Sequence, residues 1–320
     1  MIKIITDKPI YAGFWTLFLG LILSGLSSCT QSKLENSVNG DQPKVVSTST
    51  IIADLTEQIA GDEIDHQGIL QPGADPHVYE PVPQDSIALE KADLILYNGY
   101  NLEPGLIKLM KAASTSGKKV AVGEVVKPLA FQVQGQIQPD PHVWGTAKNA
   151  ILMVNKIRDE LILLSPENQS IFDKNTEKLT QDLIKLDRWI QQQIATIPPN
   201  QRKLVTTHDA FQYYANAYGL EVIGTLIGIS TEEQPSAKTV KDLATSIQKA
   251  GVPAIFAETT INPKLITTVA DESGVKLAPE QLYSDSIGVR GSEADTYIKM
   301  LVKNTKTIVE ALGGKYTPFF

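Results

Sequence analysis

The chain has 320 residues, 42% hydrophobic and 20% charged, with a formal net charge of −7. That length and balance suit one large globular domain or two modest ones and exclude a fibrous or disordered polymer. An acidic chain without a Lys/Arg block cannot bind through phosphate neutralisation, so nucleic acid is excluded as a partner.

Residues 1–28 read as an export signal. Lys3 and Lys8 give a basic start, Tyr11 to Leu26 (YAGFWTLFLGLILSGL) is apolar, and small residues follow. The run falls short of the ~20 apolar residues of a membrane span. The single cysteine, Cys29, ends this segment and has no disulfide partner within the chain. Leu26-Ser27-Ser28-Cys29 resembles the bacterial lipobox, which implies lipidation of Cys29 and a body anchored to the cell membrane, facing the periplasm or the exterior. Residues 29–43 (CTQSKLENSVNGDQP) are polar with no apolar period, as in a flexible tether.

From Lys44 strands and helices alternate. VVSTSTIIADLTEQIAG opens as a strand and continues as an amphipathic helix on Ile51, Ile52, Leu55 and Ile59, ended by Gly61. IDHQGIL reads as a strand leading into QPGADPHVYEP. DSIALEKA reads as a helix, ADLILYNGY as a buried strand, LEPGLIKLMKAA as a helix and VAVGEV as a strand. Between Pro166 and Ile197 no Gly or Pro intervenes, and Ile171, Leu179, Leu183, Leu186, Ile190, Ile194 and Ile197 recur at helical steps. This predicts one long helix, capped by Ser165 and stopped by Pro198-Pro199. Alternation then resumes through KLVTTH, DAFQYYANAYG, LEVIGTLIG, SAKTVKDLATSIQKAG, AIFAE, NPKLITTVADESG, VKLA and a terminal helix in SEADTYIKMLVKNTKTIVEALG. The expected fold is α/β with mainly parallel sheets: a lobe over 44–165, a linking helix over 166–197 and a lobe over 198–320.

Four histidines serve the whole chain, and two of them stand in one repeated tetrapeptide, Asp75-Pro76-His77-Val78 and Asp140-Pro141-His142-Val143. His77 follows a strand, His142 precedes a helix, and His208 ends the strand KLVTTH. Open α/β sheets place ligands in such loops. Proline before each DPH histidine fixes the backbone, and Asp75 and Asp140 can accept hydrogen bonds that orient the loop. Rigid loops presenting neutral imidazoles suit a metal. His66, among acids beside a strand, reads as a surface or strand-edge residue. A fourth ligand is wanted, and Asp285 in LYSDSIG and Glu258 in AIFAETT are both open. Without a thiol, soft-metal chemistry is disfavoured. Magnesium or calcium would want more oxygens, which leaves a first-row divalent ion.

The lipobox at Cys29, PGADPHVYEP, DPHVW, THDAFQYYANAYG, FAE and LYSDSIG together resemble the solute-binding lipoproteins of manganese and zinc ABC importers, the TroA-like and ZnuA-like group. The resemblance covers essentially all of the mature chain. It implies two lobes joined by one long helix and a metal held between them by His77, His142, His208 and Asp285. It also implies a monomer working with a membrane permease and its cytoplasmic ATPase. Since two ligands precede the long helix and two follow it, binding is expected to draw the lobes together. Many manganese members carry a glutamate where this chain has His208. Many dedicated zinc members carry a His-rich loop that residues 78–141 lack, and LYSDSIG is similar to the TroA-like members. Manganese is the expected cargo and zinc the alternative. A metallohydrolase would need an open metal position and a base such as Glu258 or Asp209, but no HExxH pair or nucleophile elbow is present. Adhesion, sometimes attributed to such lipoproteins, has no repeat here to carry it.

Overall fold

A computed structural model describes residues 42–112, 115–133 and 136–320. The signal, most of the tether and Cys29 lie outside the described residues. The first half alternates as expected. Strand β1 (Lys44–Ser47), helix α1 (Thr50–Ala60), β2 (Asp65–Gly68), α2 (Pro83–Lys91), β3 (Leu94–Tyr97), α3 (Pro104–Ala112) and β4 (Lys118–Ala121) follow one another. The strands are all parallel, in the order β2-β1-β3-β4. Val46, Ile69, Leu89, Ile95, Leu106 and Met110 fill the layer beneath α2 and α3.

An antiparallel hairpin, β5 (Ala130–Val133) with β6 (Gln136–Pro139), comes next. The helices α4 (Ala147–Leu164) and α5 (Gln169–Ala195) follow. The long helix therefore exists, but it does not start on Ser165. The Ser165 hydroxyl donates to Glu167 Oε1 at 2.6 Å and accepts from Asn168 Nδ2 at 3.1 Å, so it caps no backbone amide. A tight turn over Pro166–Asn168 absorbs the expected first residues. At 27 residues α5 is a rod of roughly 40 Å.

The second half runs β7 (Lys203–Thr206), α6 (Gln212–Tyr218), β8 (Glu221–Thr225), α7 (Ala237–Ala250), β9 (Ala254–Ile255), α8 (Lys264–Ser273), β10 (Lys276–Leu277) and α9 (Tyr297–Ala311). β7 pairs with β8 and β9 with β10, both in parallel. The Phe256 amide donates to Val205 O at 2.9 Å and joins the two pairs. The resulting order, β8-β7-β9-β10, repeats that of the first sheet. Side-chain caps explain several helix starts: Ser49 accepts from the Ile52 amide, Thr146 from Asn149, Ser236 from Thr239 and Thr296 from Lys299. The terminal helix accordingly begins after Thr296 rather than at Ser292.

One apolar core runs from Val45 through α1, α4 and α5 to Leu312 in the second half, with Phe172, Leu183, Leu186, Ile190 and Ile194 on the buried stripe of α5. A second layer, including Val205, Ile247, Ile255 and Ile266, lies beneath α7 and α8. Among the described residues no helix is long and apolar enough to cross a membrane.

Candidate metal centre

Each sheet aims loops at one seam. His77 stands in the loop from β2 to α2, and His142 stands between β6 and a tight turn over Val143–Gly145. His208 lies just past β7, and Asp285 lies just past Leu282, which bridges in parallel to Glu258. All four side chains are buried, none more than 3% exposed. They offer one ligand atom each, all within 4.8 Å of one another. His77 Nε2 is 3.2 Å from His142 Nε2. His208 Nε2 is 3.2 Å from Asp285 Oδ2, and His142 Nε2 is 3.5 Å from Asp285 Oδ1. Tetrahedral bonds of ~2.1 Å would set ligand atoms about 3.4 Å apart, so the cluster has the size of one transition-metal ion.

Carboxylates behind the rings aim two of them. Asp140 Oδ1 accepts from the His142 amide at 3.0 Å and lies 2.7 Å from its Nδ1. Glu258 does the same with two oxygens, at 2.8 Å from the His208 amide and 2.5 Å from Nδ1. With Nδ1 so engaged, Nε2 of each ring is left to face the cluster. His77 is held through its backbone, where Asp75 Oδ1 accepts its amide at 2.9 Å. The expected loop-orienting role of Asp75 and Asp140 is thus seen, but the grip of Asp140 on the imidazole was not anticipated. Glu258, the rival fourth ligand, stands behind His208 as its ring partner. Asp209 accepts from Gln212 Nε2 at 2.8 Å and lies outside the cluster. His66 is a strand-edge residue as expected, but its ring is turned inward, with Nε2 2.9 Å from Ser47 Oγ and Nδ1 3.1 Å from Glu57.

Residues outside the cluster hold the loops across the seam. Trp144 Nε1 donates to Ser284 O at 2.9 Å, and the Tyr213 hydroxyl donates to Asp140 O at 2.9 Å. The Gly73 amide donates to Ser286 Oγ at 2.8 Å. Asn98 Nδ2 donates to Pro141 O at 2.9 Å and fixes the DPH loop from the end of β3. Nothing in the spacing of these residues announces such contacts, because their partners lie far away in the chain.

Burial shapes the charges. It opposes ionisation of Asp285, yet the three imidazoles, His208 foremost, outweigh it and hold the carboxyl below its usual range. Burial likewise opposes a charge on His208, but the Glu258 and Asp285 carboxylates overcome it and hold the ring well above the usual imidazole range. His77 is pushed down to about 3, first by burial and then by the neighbouring imidazoles against the pull of Asp285. His208 Nε2 and Asp285 Oδ1 are buried without hydrogen-bond partners. Such orphaned atoms cost about 1–3 kcal/mol each unless a ligand engages them.

Known proteins share this frame. A family model described as zinc-uptake complex component A, periplasmic, matches residues 45–311. The manganese-binding lipoprotein MntA of Halalkalibacterium halodurans is 34% identical over 305 residues, covering 95% of this chain and 99% of that protein. The metal ABC transporter substrate-binding lipoprotein FimA of Streptococcus parasanguinis is 35% identical over 308 residues, covering 94% and 98%. The solved periplasmic zinc binding protein TroA from Treponema pallidum superposes with a TM-score of 0.80 at 35% identity, over 85% of this chain and 99% of that one. With a match through both sheets and the helices between them, the chain belongs to the zinc-uptake complex component A family.

Proposed function

We propose that this chain captures one divalent transition-metal ion outside the cytoplasm and delivers it to the permease and ATPase of an ABC importer. Its ligands in this reading are His77, His142, His208 and Asp285. The observation that carries it is the buried, ion-sized cluster, in which His208 Nε2 and Asp285 Oδ1 lack hydrogen-bond partners. The importer follows from family membership and from relatives named as ABC transporter substrate-binding lipoproteins. Anchoring through a lipid on Cys29 fits the same names and the signal that precedes it. The lobes in this proposal are 44–165 and 198–320, linked by 166–197.

Manganese is the proposed cargo. Both Asp285 oxygens lie within 3.5 Å of an imidazole Nε2, so the carboxylate can bind through one oxygen or two. Three nitrogens with two oxygens suit manganese, whereas three nitrogens with one oxygen suit zinc. Of the relatives, MntA is named as manganese-binding and TroA as zinc-binding. Transport rather than catalysis is favoured because Glu258, the carboxylate a hydrolase would use as base, is engaged by the His208 ring. Titration of metal-free protein with manganese, and with zinc in competition, tests the reading. One manganese per chain, bound saturably, is expected. Binding of zinc alone would reassign the cargo, and binding of neither would overturn the site.

A further inference from the structure

We propose that Thr231 is a positioning residue for His77, and that its hydrogen bond to Asp75 sets how slowly the bound ion leaves. This rests on the reading of His77 as a ligand. The three imidazoles are not held alike. His142 and His208 each have a carboxylate on Nδ1, at 2.7 Å and 2.5 Å. Among the described residues the His77 ring has no such partner. Its hold comes through the backbone, from Asp75 Oδ1. The other oxygen of Asp75 accepts from the Thr231 hydroxyl at 2.6 Å, and Thr231 belongs to the segment between β8 and α7 in the opposite half of the chain. A single carboxylate therefore ties the backbone of one ligand to the far side of the seam.

The placement matters because a cleft of about 720 Å³ opens beside this ligand. His77 is the one member of the cluster that lines it, and Ser230, Glu232 and Glu233, flanking Thr231, line it too. An ion entering or leaving by this cleft passes between His77 and the Thr231 segment. The acids flanking Thr231 favour entry of a cation. Removing the Thr231 donor frees Asp75 to turn, loosens the His77 amide and lets the imidazole swing toward the cleft. Gly73, four residues earlier, keeps its own bond to Ser286, so the loop stays attached while the ligand becomes mobile.

The test is the rate at which a chelator strips manganese from the loaded, full-length protein in a stopped-flow instrument. Thr231→Val keeps the shape and removes the donor, and is expected to release the ion about tenfold faster with little change in the association rate. Thr231→Ser restores the donor and is expected to release at the wild-type rate. In a His77→Ala background the effect of Thr231→Val should vanish, since the two act through one ligand. Release by Thr231→Val at the wild-type rate overturns the proposal. So does fast release by Thr231→Ser, or an undiminished effect of Thr231→Val in the His77→Ala background. If His77→Ala alone leaves manganese affinity unchanged, the ligand reading itself has failed. If His77→Ala weakens binding and Thr231→Val changes nothing, only the role of Thr231 is lost.

Discussion

Two imidazoles of the cluster, His77 and His208, meet the ion in different protonation states. His77 is pushed down to about 3 and arrives neutral, while His208, between two carboxylates, is held well above the usual range. A cation reaching His208 Nε2 must displace a proton. The sign follows: a raised value in the metal-free state makes affinity fall as pH falls, and the competition reaches up through neutral pH. About one proton should therefore be released per ion bound at pH 7. Calorimetry in buffers of different ionisation heats reads that number, and zero release would contradict the state given to His208. The histidines that the fold gathers were legible in the sequence, because two of four repeat in one tetrapeptide with proline fixing each loop. The sequence left Asp285 and Glu258 open because both carboxylates end up at the seam. Only geometry separates the one facing the cluster from the one behind His208. It also overlooked the ring contact of Asp140, since an aspartate two residues before a histidine is ordinarily a turn residue.

At the scale of elements, periodicity carried the assignment wherever the apolar stripe was long. The buried stripe of α5 matches the expected positions from Leu179 to Ile194, and Ile197 is buried just past its end, whereas Ile171 is exposed and Phe172 takes its place inside. Leu186 is fully buried in the core shared by both halves, so Leu186→Ala is expected to cost about 2–5 kcal/mol in urea unfolding of the metal-free protein. A loss below 1 kcal/mol would show that α5 is not packed as described. Short elements were less legible. The β5–β6 hairpin has the alternation of a strand pair in FQVQGQIQ, but its outward residues, such as Ile137 at 74% exposure, weaken the contrast between faces. The helical run does begin at Pro166, through a tight turn into α5, but the expected Ser165 cap is not made, because its hydroxyl is engaged by Glu167 and Asn168.

For the whole molecule, the strand order β2-β1-β3-β4 of the first half recurs in the second, where one backbone bond links the β8-β7 and β9-β10 pairs, and each half sends two side chains to the one cluster. The expectation that the ion draws the lobes together meets a fold in which one apolar core spans both halves and the ligand atoms are already gathered. The proposed anchor belongs to this scale as well. Cys29→Ala should shift the mature protein from the membrane to the soluble fraction on cell fractionation, and retention in the membrane would contradict lipidation at Cys29. The central claim is tested most directly by a crystal structure of the manganese-loaded protein with anomalous data at the manganese edge. The account predicts one peak bonded to Nε2 of His77, His142 and His208 and to the carboxylate of Asp285, at ~2.0–2.3 Å. A peak elsewhere, or one lacking any of these four ligands, would contradict it.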